Sequence, residues 1–152
     1  LDELHNHFSE FKRYGHPTAL IMFDLDHFKK INDQHGHLSG DEVLRRVCAI
    51  CRESLRENDL LARFGGEEFI IVLPSTHAGD ALYTAERIRE LSASSIGRDF
   101  GFDQKVTLSL GVSEFLASDP DYEKVLQRID EAVYQAKSMG RDRVVVSGSA
   151  ER

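Results

Sequence analysis

The chain is poor in cysteine, in long apolar runs and in basic charge, and each shortage closes off a class of protein. Two cysteines, Cys48 and Cys51, cannot build a disulfide framework, and their scarcity fits a reducing cytoplasm. The longest unbroken apolar runs, Ala19–Phe23 and Phe69–Leu73, are five residues each. A bilayer-spanning helix needs about 20. No basic segment followed by an apolar stretch opens the chain, so this stretch is expected to make no membrane contact. Lys and Arg total 19 against 26 Asp and Glu, a formal net charge of -7. An acidic surface repels a nucleic-acid backbone, which argues against general DNA or RNA binding. A free nucleotide is still acceptable where a cation bridges carboxylate and phosphate. No Pro-rich linker, low-complexity tract or internal repeat interrupts the 152 residues, so a single domain over 1–152 is expected.

What is present has clear periodicity. Leu1, Leu4, Phe8 and Phe11 set a helical rhythm that ends at Gly15. It has no cap before it, and we expect the chain to be a piece of a longer protein trimmed at its front. Thr18–Asp24 follows Pro17 as a short apolar run and reads as a buried strand. Phe28–Gln34 reads as a short helix closed by Gly36. Gly40 and Asp41 are expected to cap a longer helix carrying Leu44, Val47, Cys48, Cys51 and Leu55. Leu60–Phe64 and Phe69–Leu73 flank Gly65-Gly66 as a β-hairpin. A helix from Ala78 to about Ser92, a strand over Val106–Val112, a helix over Tyr122–Met139 capped by Gly140, and a last strand over Arg143–Val146 complete the order. This is an α+β pattern, with a mostly antiparallel sheet and helices packed on it.

Two acidic clusters fall where strands end. Asp24-Leu25-Asp26 closes the first strand, and Glu67-Glu68 sits on the Gly65-Gly66 hairpin. If the strands are neighbours, these carboxylates converge and call for a hard divalent cation. The paired glycines let backbone and a bulky substrate come close. After Asp24, His27-Phe28-Lys29-Lys30 opens a short helix, so free N–H groups and a lysine lie beside the proposed metal, an arrangement that holds phosphates. Asn32 and Asp41 have the donors and acceptors to read a purine edge. Lys137 and Arg141 lie around a helix C-terminus and suit outer phosphates. Neither G-x-x-x-x-G-K-[ST] nor G-x-G-x-x-G occurs, which leaves P-loop and dinucleotide folds without support.

Five motifs stand in order: Phe23-Asp24-Leu25-Asp26-His27-Phe28-Lys29-Lys30-Ile31-Asn32-Asp33, Gly36-His37, Gly40-Asp41, Arg63-Phe64-Gly65-Gly66-Glu67-Glu68-Phe69 and Ala136-Lys137-Ser138-Met139-Gly140-Arg141. Together they resemble the GGDEF-domain diguanylate cyclases, in the Gly-Gly-Glu-Glu-Phe variant, from Leu1 to about Val146. The resemblance implies a palm-like fold related to nucleotide cyclases, and condensation of two GTP into cyclic di-GMP with release of two pyrophosphates. It implies Mg²⁺, with Mn²⁺ as the substitute, held by Asp24, the Leu25 carbonyl and Glu67. Glu67 or Glu68 would help deprotonate the attacking 3′-hydroxyl, Glu67 being the family's usual candidate. Asn32 and Asp41 would recognise guanine, with Phe28 and His37 near the substrate, while Lys29, Lys137 and Arg141 would hold phosphates. Each domain would hold one GTP, so a homodimer is expected to be the active form.

Arg56-Glu57-Asn58-Asp59 resembles the family's R-x-x-D product-inhibition motif, and Arg87 stands where the family has a further arginine of that site. Cyclic di-GMP is therefore expected as product and inhibitor. The family's D-x-L-T-x-L-x-N-R segment before the first helix is absent, as is any sensory domain. A full-length protein could still carry a membrane anchor elsewhere; the domain itself is expected in the cytoplasm. Cys48-Ala49-Ile50-Cys51 lies inside a helix and reads as two small core residues, and Tyr134 reads as packing. His5, His7, His35 and His37 have no third ligand in register for a transition metal. Three classes compete: an active cyclase, a catalytically silent GTP or cyclic di-GMP receptor module, and a scaffold. The intact acids, purine readers and cations favour the enzyme.

Overall fold

The computed structural model describes residues 2–147, and Leu1 of the N-terminal apolar rhythm lies outside them. Strand β1 (Thr18–Leu25) is buried at all eight positions. Its continuous apolar run is explained by its place at the centre of a five-stranded sheet of order β2-β3-β1-β4-β5, covered on both faces. Its neighbours β3 (Glu68–Pro74) and β4 (Leu108–Glu114) both run antiparallel to it. The edge strand β2 (Leu60–Arg63) is antiparallel to β3, whereas the other edge, β5 (Arg143–Val146), runs parallel to β4. The sheet is mostly antiparallel, as the pattern predicts, with one parallel pair made by a helical crossover.

Alternation along β1 divides the core. Ala19, Ile21, Phe23 and Leu25 face α2 (Phe28–His35), α3 (His37–Ser54) and α4 (Ala78–Phe100), meeting Ile31, Val47, Ala85 and Ile88. Leu20 and Met22 face the opposite way, into a cluster with Leu4 and Phe8 of α1 (Asp2–Tyr14) and Val125, Ile129 and Val133 of α5 (Tyr122–Ser138). Truncating a side chain such as fully buried Ile21 to Ala would cost about 2–5 kcal/mol. Helix α5 sits unusually close to the sheet at Gly111. A Cβ there would come within 2.8 Å of the Ile129 carbonyl oxygen and 2.9 Å of the Ala132 methyl. This contact fixes the height of α5, and with it the position of Lys137 in its last turn.

Three boundaries differ from the sequence reading. Helix α4 runs on to Phe100 rather than stopping near Ser92. Its polar stretch stays helical because Ser92, Ser95 and Ile96 are buried and the Ser95 hydroxyl donates to the Leu91 carbonyl at 2.6 Å; Gly101, at φ 72, ends it. Strand β4 is shifted to Leu108–Glu114. Gly40 does not cap α3. Gly36 does that at φ 92, and Gly40 is buried within the first turn.

Candidate active site

The C-terminal end of β1 meets the start of β3 so that Asp24 stands directly opposite Glu68. The sequence expectation that the two acidic clusters share a sheet edge is therefore met. The Leu25 N–H donates to the Glu67 carbonyl at 3.3 Å, extending the ladder into the hairpin. The Gly65-Gly66-Glu67 segment closes through Phe64 and Gly65 N–H groups, which share the Glu68 carbonyl at 2.7 and 3.2 Å. Arg63 folds over this loop, donating from its Nε to the Gly65 and Gly66 carbonyls at 3.1 and 2.9 Å. That brace was not legible in the sequence, where Arg63 is only the last residue of a strand.

The Asp24 carboxylate is 5% exposed as a residue and its Oδ2 accepts from the Lys137 ammonium. Its Oδ1 is buried and has no hydrogen-bond partner. Glu68 is pushed above the usual carboxylate range, first by burial and then by the negative charges of Asp24, Asp130 and Glu67, against the opposing pull of Lys137. A small recess of about 120 Å³ joins Asp24, Glu68, Asp130, Tyr134 and Lys137. Tyr134 is 71% exposed at this rim rather than packed. The reason is its position: it lies on the solvent side of α5, next to the buried Val133.

The orphaned Asp24 oxygen, with Glu68 opposite it in the strand register, offers oxygen donors of the kind a hard cation takes. Among the described residues no three His, Cys, Asp or Glu side chains form a ready cage. That suits Mg²⁺, which takes one or two carboxylates and keeps its remaining positions for water and phosphate oxygens. The Asp24 carboxylate fits the group on these grounds, and Leu25 and Glu67 lie at the same sheet end, joined by the bond from the Leu25 N–H to the Glu67 carbonyl.

Beyond β1, His27 adopts left-handed geometry (φ 56) and starts α2 without a side-chain cap. Lys29 lies exposed in the first turn, Phe28 and Asn32 are half-buried, and His37 and Asp41 lie exposed at the start of α3. Gly40 brings the two helices together: a Cβ there would fall on the Asn32 Oδ1 and reach 3.3 Å from the Phe28 ring. Asn32 Oδ1 is itself buried and unpartnered. A neighbouring cleft of about 590 Å³ is lined by Asp41, Leu44, Arg45, Cys48, Arg52, Leu61, Arg63 and Phe69. Arg141 is exposed just past α5, at φ 66.

The family model "Diguanylate cyclase, GGDEF domain" matches residues 1–143. The chain belongs to the GGDEF-domain diguanylate cyclase family. Diguanylate cyclase DosC of Escherichia coli K12 is 43% identical over 133 residues, which cover 87% of this chain and 29% of that protein. The GGDEF chain here thus spans under a third of the length of that curated relative. Among solved structures, the active GGEEF domain of a diguanylate cyclase from Vibrio cholerae superposes with a TM-score of 0.90 at 35% identity, covering 98% of this chain and 94% of the other. The coiled coil and GGDEF domain of DgcB from Caulobacter crescentus, solved in complex with c-di-GMP, gives 0.88 at 32% identity, covering 95% and 77%. The α+β sheet with its flanking helices is the GGDEF cyclase fold.

The R-x-x-D residues lie at the far end of the hairpin, between α3 and β2. Arg56 and Asp59 bond to one another, Nη2 to Oδ1 at 3.2 Å, and the Arg56 backbone N–H donates to Asp59 Oδ2 at 2.8 Å. The same guanidinium donates to the Thr76 hydroxyl at 2.7 Å. Arg87 is exposed on α4 and makes no side-chain hydrogen bond to either among the described residues.

Proposed function

We propose that this chain is a catalytic domain that joins two GTP into cyclic di-GMP, with release of two pyrophosphates. The observation that carries this reading is the Asp24–Glu68 register, which sets an orphaned carboxylate oxygen at the sheet end that carries the Gly-Gly-Glu-Glu turn. The c-di-GMP bound to the related DgcB domain supports the same reading.

In this scheme Asp24, the Leu25 carbonyl and Glu67 hold Mg²⁺, with Mn²⁺ as the substitute. Bound there, the cation neutralises the triphosphate and the departing pyrophosphate. The uncapped N-terminus of α2, Lys29 and Arg141 hold the phosphates. Lys137, which neutralises Asp24 in the free site, turns to a phosphate oxygen when GTP arrives. Asn32 and Asp41 accept and donate along the guanine edge, with Phe28 and His37 shaping the entrance. The 3′-oxygen of one GTP attacks the α-phosphorus of the other, the bond to the β-phosphate oxygen breaks, and the hydroxyl proton passes to Glu67 or Glu68. Burial and the negative charges of Asp24, Asp130 and Glu67 raise the Glu68 pKa, which makes its carboxylate a better proton acceptor than a fully solvated one. Each chain supplies one GTP and one set of acids, so the reaction runs in a two-fold dimer. Arg56, Asp59 and Arg87 bind the product away from the acids and slow the enzyme.

The deciding assay incubates the protein, as a forced dimer, with GTP and Mg²⁺ and measures cyclic di-GMP and pyrophosphate. Two pyrophosphates should form for each cyclic di-GMP, and both products should vanish in Glu67→Ala. A forced dimer that binds GTP but forms neither product overturns the enzymatic reading in favour of a receptor module.

A further inference from the structure

Three consecutive residues after α5 have positive φ: Gly140 at 117, Arg141 at 66 and Asp142 at 49. Only the first is a glycine, so the other two occupy a conformation that L-residues avoid unless surrounding contacts fix it. Two contacts do so from outside the turn. The Asp142 N–H donates to Asp26 Oδ2 at 3.1 Å, and the Asp142 carboxylate accepts from Arg89 Nη1 at 2.9 Å. Arg89 is braced in turn by Glu86 at 2.8 Å.

Asp26 is 4% exposed, yet no Lys, Arg or His pairs with it among the described residues. Its carboxylate is satisfied by neutral donors alone: the Thr107 hydroxyl at 2.7 Å, the Ser109 hydroxyl at 2.6 Å and the Asp142 N–H. Its own N–H donates to the Thr107 carbonyl at 2.9 Å. A buried carboxylate without a cation is costly to keep, and both oxygens are consumed by the protein. This separates it from Asp24, two residues earlier, whose Oδ1 has no partner.

We propose that Asp26, with Arg89, is a positioning residue: together they hold the Gly140–Asp142 turn in the conformation that presents Arg141 to the phosphates. Asp26 acts through the backbone N–H of Asp142 and Arg89 through the Asp142 carboxylate. The inference rests on the GTP-binding reading above.

The test is a double-mutant cycle on GTP affinity, measured by calorimetry with Mg²⁺ present, using Asp26→Asn and Arg141→Ala. The asparagine keeps the shape but cannot accept from all three donors. Arg141→Ala and Asp26→Asn should each weaken GTP binding roughly tenfold, about 1.4 kcal/mol, and the double variant should be no weaker than Arg141→Ala alone. GMP, which lacks the outer phosphates, should lose little in either. An Asp26→Asn penalty that persists in the Arg141→Ala background, or that appears equally for GMP, overturns the proposal. Arg89→Met reports on the same turn through the Asp142 carboxylate, so a poorly folding Asp26→Asn leaves the cycle available through Arg89. Failure of the wild-type chain to bind GTP sinks the functional reading instead, and the two failures are told apart by that control.

Discussion

Lys137 pairs with Asp24 across 113 positions of sequence, joining the last turn of α5 to the end of β1. The lysine occupies one oxygen of the carboxylate that would hold the divalent cation in the proposed function and leaves the other buried without a partner. An ammonium and a metal ion then compete for the same negative charge.

Lys137→Met therefore has two opposite effects. Mn²⁺ binding to the nucleotide-free protein, followed by the loss of its free-ion EPR signal, should tighten several-fold because the competitor is gone. The KM for GTP should rise by about tenfold, the loss of one charge-assisted hydrogen bond to phosphate. Unchanged or weaker Mn²⁺ binding would show that Asp24 is not the metal's carboxylate.

Gly40→Ala tests Asn32, the proposed purine reader, without substituting it. The added methyl collides with the Asn32 carboxamide oxygen and comes within 3.3 Å of Phe28. Asn32 must swing away, so the KM for GTP should rise about tenfold or more. The fold should hold or even gain, since Ala is favoured over Gly in a helix by about 1 kcal/mol. An unaltered KM together with an unaltered melting temperature would remove Asn32 from guanine recognition.

Arg56→Ala addresses feedback. The substitution removes the bonds to Asp59, Thr76 and the Pro74 carbonyl, and should cost about 1 kcal/mol of stability. Initial turnover should match wild type, while added cyclic di-GMP should no longer inhibit. Inhibition that survives the substitution places the product site elsewhere.

Much of this site is readable in the linear chain because its residues cluster at element ends. Asp24 is announced as an acid closing one apolar run and Glu68 as an acid opening another, and their pairing follows once β1 and β3 are neighbours. Gly40 shows where that reading stops. A glycine before an acid looks like a helix cap, and only the packing of α2 on α3 reveals that its missing Cβ makes room for Asn32. Tyr134 fails for a related reason: within α5 the burial of Val133 and the exposure of Tyr134 depend on which stripe faces the sheet, and the apolar stripe is broad enough to include both. The Asp24–Lys137, Asp26–Asp142 and Arg89–Asp142 contacts join residues 113, 116 and 53 positions apart. No local pattern encodes them, because they arise only when α5 packs on the sheet beside β1 and β5 returns beside β4.

The link between β4 and α5 contributes stability that depends on pH. Asp119 is 2% exposed. Burial alone would raise its pKa, but two hydrogen bonds from Arg128, at 2.9 Å each, and the Leu116 N–H at 2.8 Å outweigh that and hold it below the usual carboxylate value. A group whose pKa is lower folded than unfolded stabilises the fold above its unfolded value, near 4. That contribution is fully present at neutral pH and is lost as pH falls through the folded value. Arg128→Met leaves a buried charge unpaired and should cost about 3 kcal/mol, with a clear drop in melting temperature at pH 7. The deficit should shrink at low pH, where Asp119 is protonated. A pH-independent deficit would assign the loss to packing of the arginine stem instead.

The two cysteines differ in a way that reports on the cleft. Cys51 is fully buried and its thiol is pushed up to about 12, first by desolvation and then by Cys48, with Arg52 opposing. The thiolate is the reactive form, so Cys51 should be inert at pH 8 in the folded chain. Cys48, one turn earlier, is half-buried and lines the cleft beside Asp41, Arg52 and Arg63. A small aromatic disulfide reagent should therefore modify one thiol in the native protein and two in denaturant, and Cys48→Ala should abolish the native reaction. GTP seated against Asp41 would cover the approach to Cys48, so saturating GTP should slow its modification several-fold, while Asp41→Ala should remove that protection. Equal labelling rates with and without GTP in a protein that binds GTP would place the nucleotide outside this cleft.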